Sequence, residues 1–72
     1  MAQLTHAQYD ALERAIIDRQ RIAIYRRGTE FVVVPHRLTL VGGRELIESV
    51  HPTTGDAIRF YVDEVDAIQV IR

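Results

Sequence analysis

The sequence lacks cysteine altogether. Disulfide-stapled folds, thiolate metal sites and thiol nucleophiles are therefore excluded. It also lacks a long apolar run, because the longest, near residues 31–34, is far below the about 18 consecutive residues of a membrane span. Residues 1–4 show no basic segment followed by an apolar one, so we read no signal peptide and expect a soluble, cytoplasmic protein without a membrane partner.

The net charge is small, but the charges are unevenly distributed. Nine arginines, with no lysine, and ten acidic residues leave a net charge of −1. Residues 14–44 hold seven arginines and two acids, whereas residues 45–72 hold two arginines and six acids. We therefore expect an electric dipole. Arginine suits planar, bidentate contacts with anions, although genomic base composition explains the same bias.

Length and composition predict one small globular domain over residues 1–72. Hydrophobic residues make up 47% and charged residues 26%, a balance typical of folded proteins. Folding so short a chain removes only about 60% of its unfolded surface from water. Stability therefore requires a well-packed core or a second copy over an open face, and homo-oligomerisation is left open.

The first predicted element is a helix over residues 6–19. Thr5 is a good N-cap, and Gln8 follows three residues later, as in a capping box. An apolar stripe recurs at the helical spacings of three and four. Its members are Tyr9, Leu12, Ala15 and Ile16, with Arg19 as an optional last member. The helix should therefore lay one face on a sheet.

After Gln20 the hydrophobic pattern changes to period two, which predicts strands. We expect strands over residues 21–26, 30–34 with an extended continuation over 37–41, 44–50, 57–62 and 67–71. Turns are expected at residues 27–29, at Gly42-Gly43, at 51–56 and at 63–65. Because Pro35 has no backbone N–H, the second strand must end, bend or lie on a sheet edge there.

One helix followed by about five short antiparallel strands suits a small barrel of the SH3-like or Sm-like type. The predicted fold class is thus mainly β with one N-terminal helix, and the barrel covers residues 21–71. An open sheet with the helix across one face is the alternative. If the barrel is incomplete, Ile71 and the end of the fourth strand become candidate dimer edges.

The sequence contains no catalytic or metal-binding constellation. Ser49, the only serine, lies in a predicted strand, and the spacing of His6, His36 and His51 matches no metal signature. His51 precedes a proline and is predicted to be a turn residue. We therefore expect no enzyme activity, no metal and no cofactor.

Three acidic residues, Asp63, Glu64 and Asp66, crowd one predicted turn. They lack the glycine and the distal glutamate of a calcium loop. We expect the Asp63 side chain to cap local backbone amides instead.

Arginines stand next to tyrosines on the predicted strands. Tyr25 lies between Arg21 and Arg27 on one strand face, and Arg59 shares a face with Tyr61. Aromatic rings can stack on bases, and guanidinium groups can contact phosphates. These five residues are the candidate ligand or nucleic-acid contacts. The alternative is that the tyrosines cover the ends of the core while the arginines solvate its rim.

The order of these segments resembles the WYL domain, a small Sm-like or SH3-like barrel of bacterial transcription regulators. The likeness spans residues 15–71 and is carried by RQRIAIY (19–25), VPHRL (34–38), Gly43-Arg44, Pro52 with Gly55, and FYVDEV (60–65). This resemblance implies a ligand-sensing module, usually attached to a DNA-binding domain and in some members binding nucleic acid or nucleotides.

A second resemblance is carried by YDALERA (9–15) and VDEV (62–65). These segments resemble the Rof family, small Sm-like proteins that inhibit the transcription terminator Rho by occupying its RNA-binding surface. The resemblance implies an acidic surface for a basic protein partner, here formed by Asp63, Glu64 and Asp66.

Together these observations predict a non-enzymatic, WYL-like regulatory module of bacterial transcription control. It would recognise nucleic acid or a small anionic ligand through the five arginine and tyrosine residues. The alternative is a Rof-like inhibitor of a basic RNA-binding protein.

Overall fold

A computed structural model describes residues 4–71 of the chain. The elements are α1 (His6–Asp18), β1 (Ile22–Arg26), β2 (Thr29–Val41), β3 (Arg44–Val50), β4 (Ala57–Tyr61), one turn of 3₁₀ helix (Val62–Glu64) and β5 (Ala67–Val70). All paired strands are antiparallel, in the order β4-β3-β2-β1-β5. The predicted fold class, mainly β with one N-terminal helix, is confirmed. Residues 1–3, which carry most of the signal-peptide expectation, lie outside the described range.

Helix α1 begins with the predicted capping box. The Gln8 backbone N–H donates to Thr5 Oγ1 at 3.1 Å, and the Thr5 N–H donates to Gln8 Oε1 at 3.0 Å. Leu12 and Ala15 on the apolar stripe are fully buried. Arg19 does not extend the stripe, because it is exposed and closes the helix in the left-handed conformation with φ 52°. No helix in the described part of the chain is long and apolar enough to cross a membrane.

Strand β2 runs through Pro35 without a break. Its first half pairs with β1 as far as Val33, and its second half pairs with β3 from Val34 onwards. The register shifts between Pro35 and Arg37, as at a β-bulge. The proline therefore lies in the middle strand of the sheet, at the change of partner, where a bulge bends the strand. Of the three outcomes that the sequence allowed, bending is the one observed.

The bent sheet curls around one core, to which α1 and each strand contribute. The buried members of this cluster are Leu4, Leu12, Ala15, Ile22, Ile24, Val33, Ile47, Phe60, Val62, Val65 and Ile68. At one end of the curl, the guanidinium carbon of Arg26 on β1 lies 5.3 Å from the ring centroid of Phe60 on β4. Strands that are distant in the sheet order therefore meet across the interior.

The strand ends differ from the predictions by about one residue. β4 ends at Tyr61, so Val62 belongs to the 3₁₀ turn, although its side chain still packs in the core. Within residues 4–71, β4 and β5 form no ladder with each other, and the 3₁₀ turn connects them. The suggestion that these edges pair in a dimer stays a prediction.

Candidate ligand-binding site

A cavity of about 360 Å³ opens where the β1–β2 hairpin meets the 3₁₀ turn. Its lining residues are Arg26, Arg27, Thr29, Phe31 and Glu64. The hairpin supplies the first four of these, and the 3₁₀ turn supplies Glu64. The cavity thus combines two guanidinium groups, one aromatic ring and one carboxylate.

Arg26 is a half-buried cation in the lining of this cavity. It continues the core-facing positions of Ile22 and Ile24 along β1. Its guanidinium carbon lies 5.1 Å from the ring centroid of Phe31 and 5.3 Å from that of Phe60. Within residues 4–71, no carboxylate oxygen comes within 4.0 Å of its nitrogens. Two aromatic rings therefore hold a half-buried cation that has no acidic partner in this part of the chain.

Arg27 stands at the tip of the same hairpin in a strained backbone conformation. Both turn residues have positive φ, 50° at Arg27 and 77° at Gly28, which is the type I′ geometry. The left-handed region costs a residue with a Cβ about 1 kcal/mol or more. The Arg27 N–H donates to Asp66 Oδ2 at 2.9 Å, and the Asp66 N–H donates to the Tyr25 carbonyl at 2.8 Å. These two bonds fix the hairpin to the segment before β5. The positive φ of Arg27 is a strained backbone conformation, and such conformations are common at functional sites.

Arg44 on β3 contacts two acidic side chains of the 3₁₀ turn. Its Nε and Nη2 donate to the two carboxylate oxygens of Asp63 at 2.9 and 2.8 Å, and Nη2 lies 3.7 Å from Glu64 Oε2. Its guanidinium carbon lies 3.8 Å from the ring centroid of Tyr61. The hydrogen bonds between the two side chains raise the pKa of Arg44 and lower the pKa of Asp63.

The expectation that Asp63 caps local backbone amides is wrong. Both of its oxygens bind Arg44, and the 3₁₀ turn has no side-chain cap. Arg44 offers Asp63 two parallel hydrogen bonds and an opposite charge, which is more than a single backbone N–H offers, and the fold brings β3 within reach of the turn.

Of the five predicted arginine and tyrosine contacts, only Arg27 lines the cavity. Arg21 precedes the opposite end of β1, where its carbonyl accepts from the Ile71 N–H at 3.1 Å. The Tyr25 hydroxyl donates to Glu30 Oε2 at 2.8 Å and lies 3.4 Å from Gln69 Oε1. The bond to Glu30 raises the pKa of Tyr25. Tyr25 is thus engaged with the two strands that flank β1.

Arg59 and Tyr61 lie on β4, which is three strands away from β1 in the sheet order. Arg59 is exposed and stands opposite Glu48 of β3 in the register. Tyr61 stands opposite Leu46 and carries the Arg44 guanidinium on its ring. The two predicted tyrosines therefore lie on strands that do not pair with each other, because β2 and β3 lie between β1 and β4 in the sheet order.

The three predicted acidic contacts do gather near the cavity. Glu64 lines it, Asp63 adjoins it through the shared partner Arg44, and Asp66 accepts the Arg27 N–H. Each of them contacts an arginine of this same chain. All three remain exposed.

Sequence reasoning missed Arg26, Thr29 and Phe31. The signal for Arg26 was present, since an arginine two residues after Ile24 falls on the core face of the strand. The sequence contains no signal for Phe31. Its contact with Arg26 depends on the register of the β1–β2 hairpin, in which Phe31 stands opposite Ile24.

His51 stands between the end of β3 and the turn that leads to β4. His51 Nδ1 accepts from the N–H groups of Thr53 and Thr54 at 3.1 and 3.2 Å, so its predicted turn role is observed. Within residues 4–71 no three His, Asp or Glu side chains are grouped to hold a metal ion.

Comparisons with known proteins bear on the fold. No family model matches the chain, and no curated protein matches it. Among solved structures, it is similar to proteasome accessory factor B/C (PafBC) of Arthrobacter aurescens, with a TM-score of 0.75 and 18% identity over 97% of this chain. The likeness supports a WYL-like fold. The chain spans 12% of the length of PafBC, and at this identity the two are shown to share a fold and nothing more.

Proposed function

We propose that this protein is a non-enzymatic, WYL-like regulatory module that binds a nucleotide unit in the cavity between Arg26, Arg27 and Phe31. The observation that carries the proposal is Arg26, a half-buried cation that lies against the contacting rings of Phe31 and Phe60 and has no carboxylate partner in residues 4–71. Guanidinium groups form paired hydrogen bonds with phosphate oxygens, and an aromatic ring offers a stacking surface to a base.

Two further observations support this function. The cavity volume of about 360 Å³ falls within the range of small-ligand sites. The chain shares the fold of a segment that makes up 12% of PafBC, a transcription regulator, which agrees with a regulatory role. The nucleotide unit could be free or part of a single strand, and the phosphate and base chemistry is the same in both cases.

The test is titration of the purified protein with adenosine 5′-monophosphate and with a short single-stranded oligonucleotide. Arg26→Met keeps an apolar stem against the two rings but removes the charge, and Arg27→Asn suits the left-handed turn position. We expect each variant to weaken binding about tenfold, as for a lost hydrogen bond to a charged group. Each variant should also make the plot of log binding constant against log salt concentration less steep. The slope should change by about one, as for the loss of one phosphate contact.

Arg14→Met, on the exposed face of α1, is the matched control and should leave both affinities unchanged. Arg59→Ala tests the sequence prediction of a wider surface. If a bound oligonucleotide extends over β4, this change should weaken binding of the oligonucleotide and leave binding of the mononucleotide unchanged. Absence of binding to both probes, or equal affinity of Arg26→Met and Arg14→Met, would overturn the proposed function.

The alternative of a Rof-like inhibitor would use Asp63, Glu64 and Asp66 against a basic protein. In this fold the same acids already contact Arg44 and Arg27 of the chain itself. The unpartnered cation in the cavity therefore carries the proposal, and the acidic surface does not.

A further inference from the structure

A groove of about 380 Å³ opens between α1 and the second half of β2. Helix α1 forms one wall and β2 forms the other, and the lining residues are Glu13, Ile16, Ile17, His36, Arg37 and Leu38. None of these residues lines the cavity at the β1–β2 hairpin. The groove is therefore a surface separate from the proposed ligand site.

Ile17 is the apolar side chain that this groove leaves in water. It is 79% exposed, the largest fraction among the large apolar residues in the part of the chain that the structure describes. Ile16 and Leu38, which line the same groove, are partly buried against the core. Burial of apolar surface favours association, so the groove offers an apolar contact to a partner.

The two walls of the groove carry opposite charges. Glu13 on α1 is exposed, and within residues 4–71 no arginine or histidine nitrogen lies within 4.0 Å of its carboxylate. Arg37 on β2 has a side chain that is 64% exposed, and its Nε lies 3.2 Å from Glu48. A guanidinium group has five N–H donors, so Arg37 can bind a second carboxylate.

A second copy of the chain supplies what both walls require. Two copies related by a two-fold axis present the same patch to each other, so each contact between the copies occurs twice. Glu13 lies one helical turn before Ile17, on the same side of α1. When Ile17 enters the groove of the other copy, Glu13 is carried towards the β2 wall of that groove, where Arg37 lies.

We propose that this groove is the interface of a two-fold dimer. Ile17 of each copy packs into the groove of the other copy, and Glu13 of each copy pairs with Arg37 of the other. The six lining residues are fewer than the about 20–30 residues that each partner contributes to a stable interface. We therefore expect a weak, reversible dimer with a Kd between about 10 μM and 1 mM. At lower concentrations the chain is a monomer with Ile17 exposed.

Sedimentation equilibrium of the purified chain across that concentration range tests the proposal. We expect the mass to rise from the 8.3 kDa of one chain towards twice that value. Ile17→Glu brings two carboxylates together in the interface and should weaken dimerisation at least about tenfold. Ile17→Leu keeps the apolar volume and should retain the dimer.

Reversal of charge at the proposed pair gives a sharper test. Glu13→Arg places two cations together in its own dimer, and Arg37→Glu places two acids together, so neither variant alone should dimerise in this range. An equimolar mixture of the two variants brings opposite charges together at both pairs, and the mixed dimer should form.

Asp18→Arg is the matched control for the reversal at Glu13. Asp18 is an exposed acid on α1 that does not line the groove, and it projects about 140° around the helix axis from Glu13. This variant should dimerise like the unmutated chain. Far-ultraviolet circular dichroism verifies that the variants are folded. Glu13 and Ile17 are exposed, so their variants test the interface even if Arg37→Glu, which also loses the Glu48 contact, unfolds.

Three results would overturn the proposal. The first is the mass of a single chain at all concentrations. The second is a dimer whose Kd is the same in Ile17→Glu and Glu13→Arg as in the unmutated chain, since the copies would then meet through another surface. The third is a mixture of folded Glu13→Arg and Arg37→Glu that does not associate, since the two charges would then not face each other.

Discussion

At the scale of single residues, surroundings determine what each arginine can do. Arg44 is satisfied by the two oxygens of Asp63 and by the Tyr61 ring. Arg26 has two rings beside it and, within residues 4–71, no carboxylate partner. Arg44 connects β3 to the 3₁₀ turn, whereas Arg26 is the cation that the proposed function assigns to ligand binding. The residue type alone could not distinguish them.

One hydrogen bond connects α1 to β3, and the loss of its contribution to stability should be measurable at alkaline pH. The Tyr9 hydroxyl donates to Glu45 Oε1 at 2.6 Å. That bond, together with burial and the Glu45 charge, raises the pKa of Tyr9 from 10.0 to about 12. Because the folded pKa lies above the unfolded one, the bond stabilises fully below pH 10 and is lost as pH rises towards 12.

Tyr9→Phe should therefore lower the free energy of unfolding by roughly 0.5–1.5 kcal/mol near neutral pH. The difference from the unmutated protein should shrink as the solution is made alkaline through that range. Urea unfolding at neutral and alkaline pH measures it, with Tyr61→Phe as the control. A constant difference at all pH values would contradict the assignment.

At the scale of elements, the C-terminal end of α1 is a site of strain. Arg19 has φ 52° and ψ 46°, and its N–H donates to the Ala15 carbonyl. Glycine is preferred at such a position because it has no Cβ to clash. Arg19→Gly should stabilise the protein by about 0.5–1 kcal/mol, whereas Arg19→Ala should bring no gain. Thermal unfolding of the pair checks this, and a gain with alanine as large as with glycine would rule the explanation out.

The same scale shows what the sequence could and could not predict. β3 was predicted over residues 44–50, as observed, because Gly42-Gly43 marks its start and the turn-forming residues 51–56 mark its end. β2 was predicted with an interruption, because Pro35 signals a break, whereas the strand changes partners there. The pair Arg44–Asp63 spans 19 residues of chain, so no local pattern could indicate it. The approach of Glu64 to the β1–β2 hairpin depends on such distant contacts, whereas Arg26 could have been found from its place two residues after Ile24.

At the scale of the whole molecule, the basic and acidic stretches of the sequence meet in the fold. Arg37 pairs with Glu48 at 3.2 Å, and Arg44 pairs with Asp63. Exposed pairs of this kind each contribute little to stability. Their effect is to connect neighbouring elements, while burial of the apolar cluster between α1 and the curled sheet supplies most of the stability.

That argument predicts that α1 and the sheet unfold together. Leu12 on the inner face of α1 is 0% exposed, and Ile17 on its outer face is 79% exposed. Leu12→Ala should cost about 2–5 kcal/mol, a large part of the roughly 4–11 kcal/mol expected for a chain of this length. Ile17→Ala should change stability by less than about 0.5 kcal/mol.

Urea unfolding followed both by far-ultraviolet circular dichroism and by tyrosine fluorescence measures these costs and the cooperativity together. Coincident transitions are expected in the unmutated protein and in both variants, since α1 covers the core that the strands share. Separate transitions, with the helix signal of Leu12→Ala lost first and the sheet intact, would show that the strands hold their core without α1. The cavity lies on the hairpin and the 3₁₀ turn, so ligand binding would then persist without α1, whereas in a single cooperative unit it disappears with the fold.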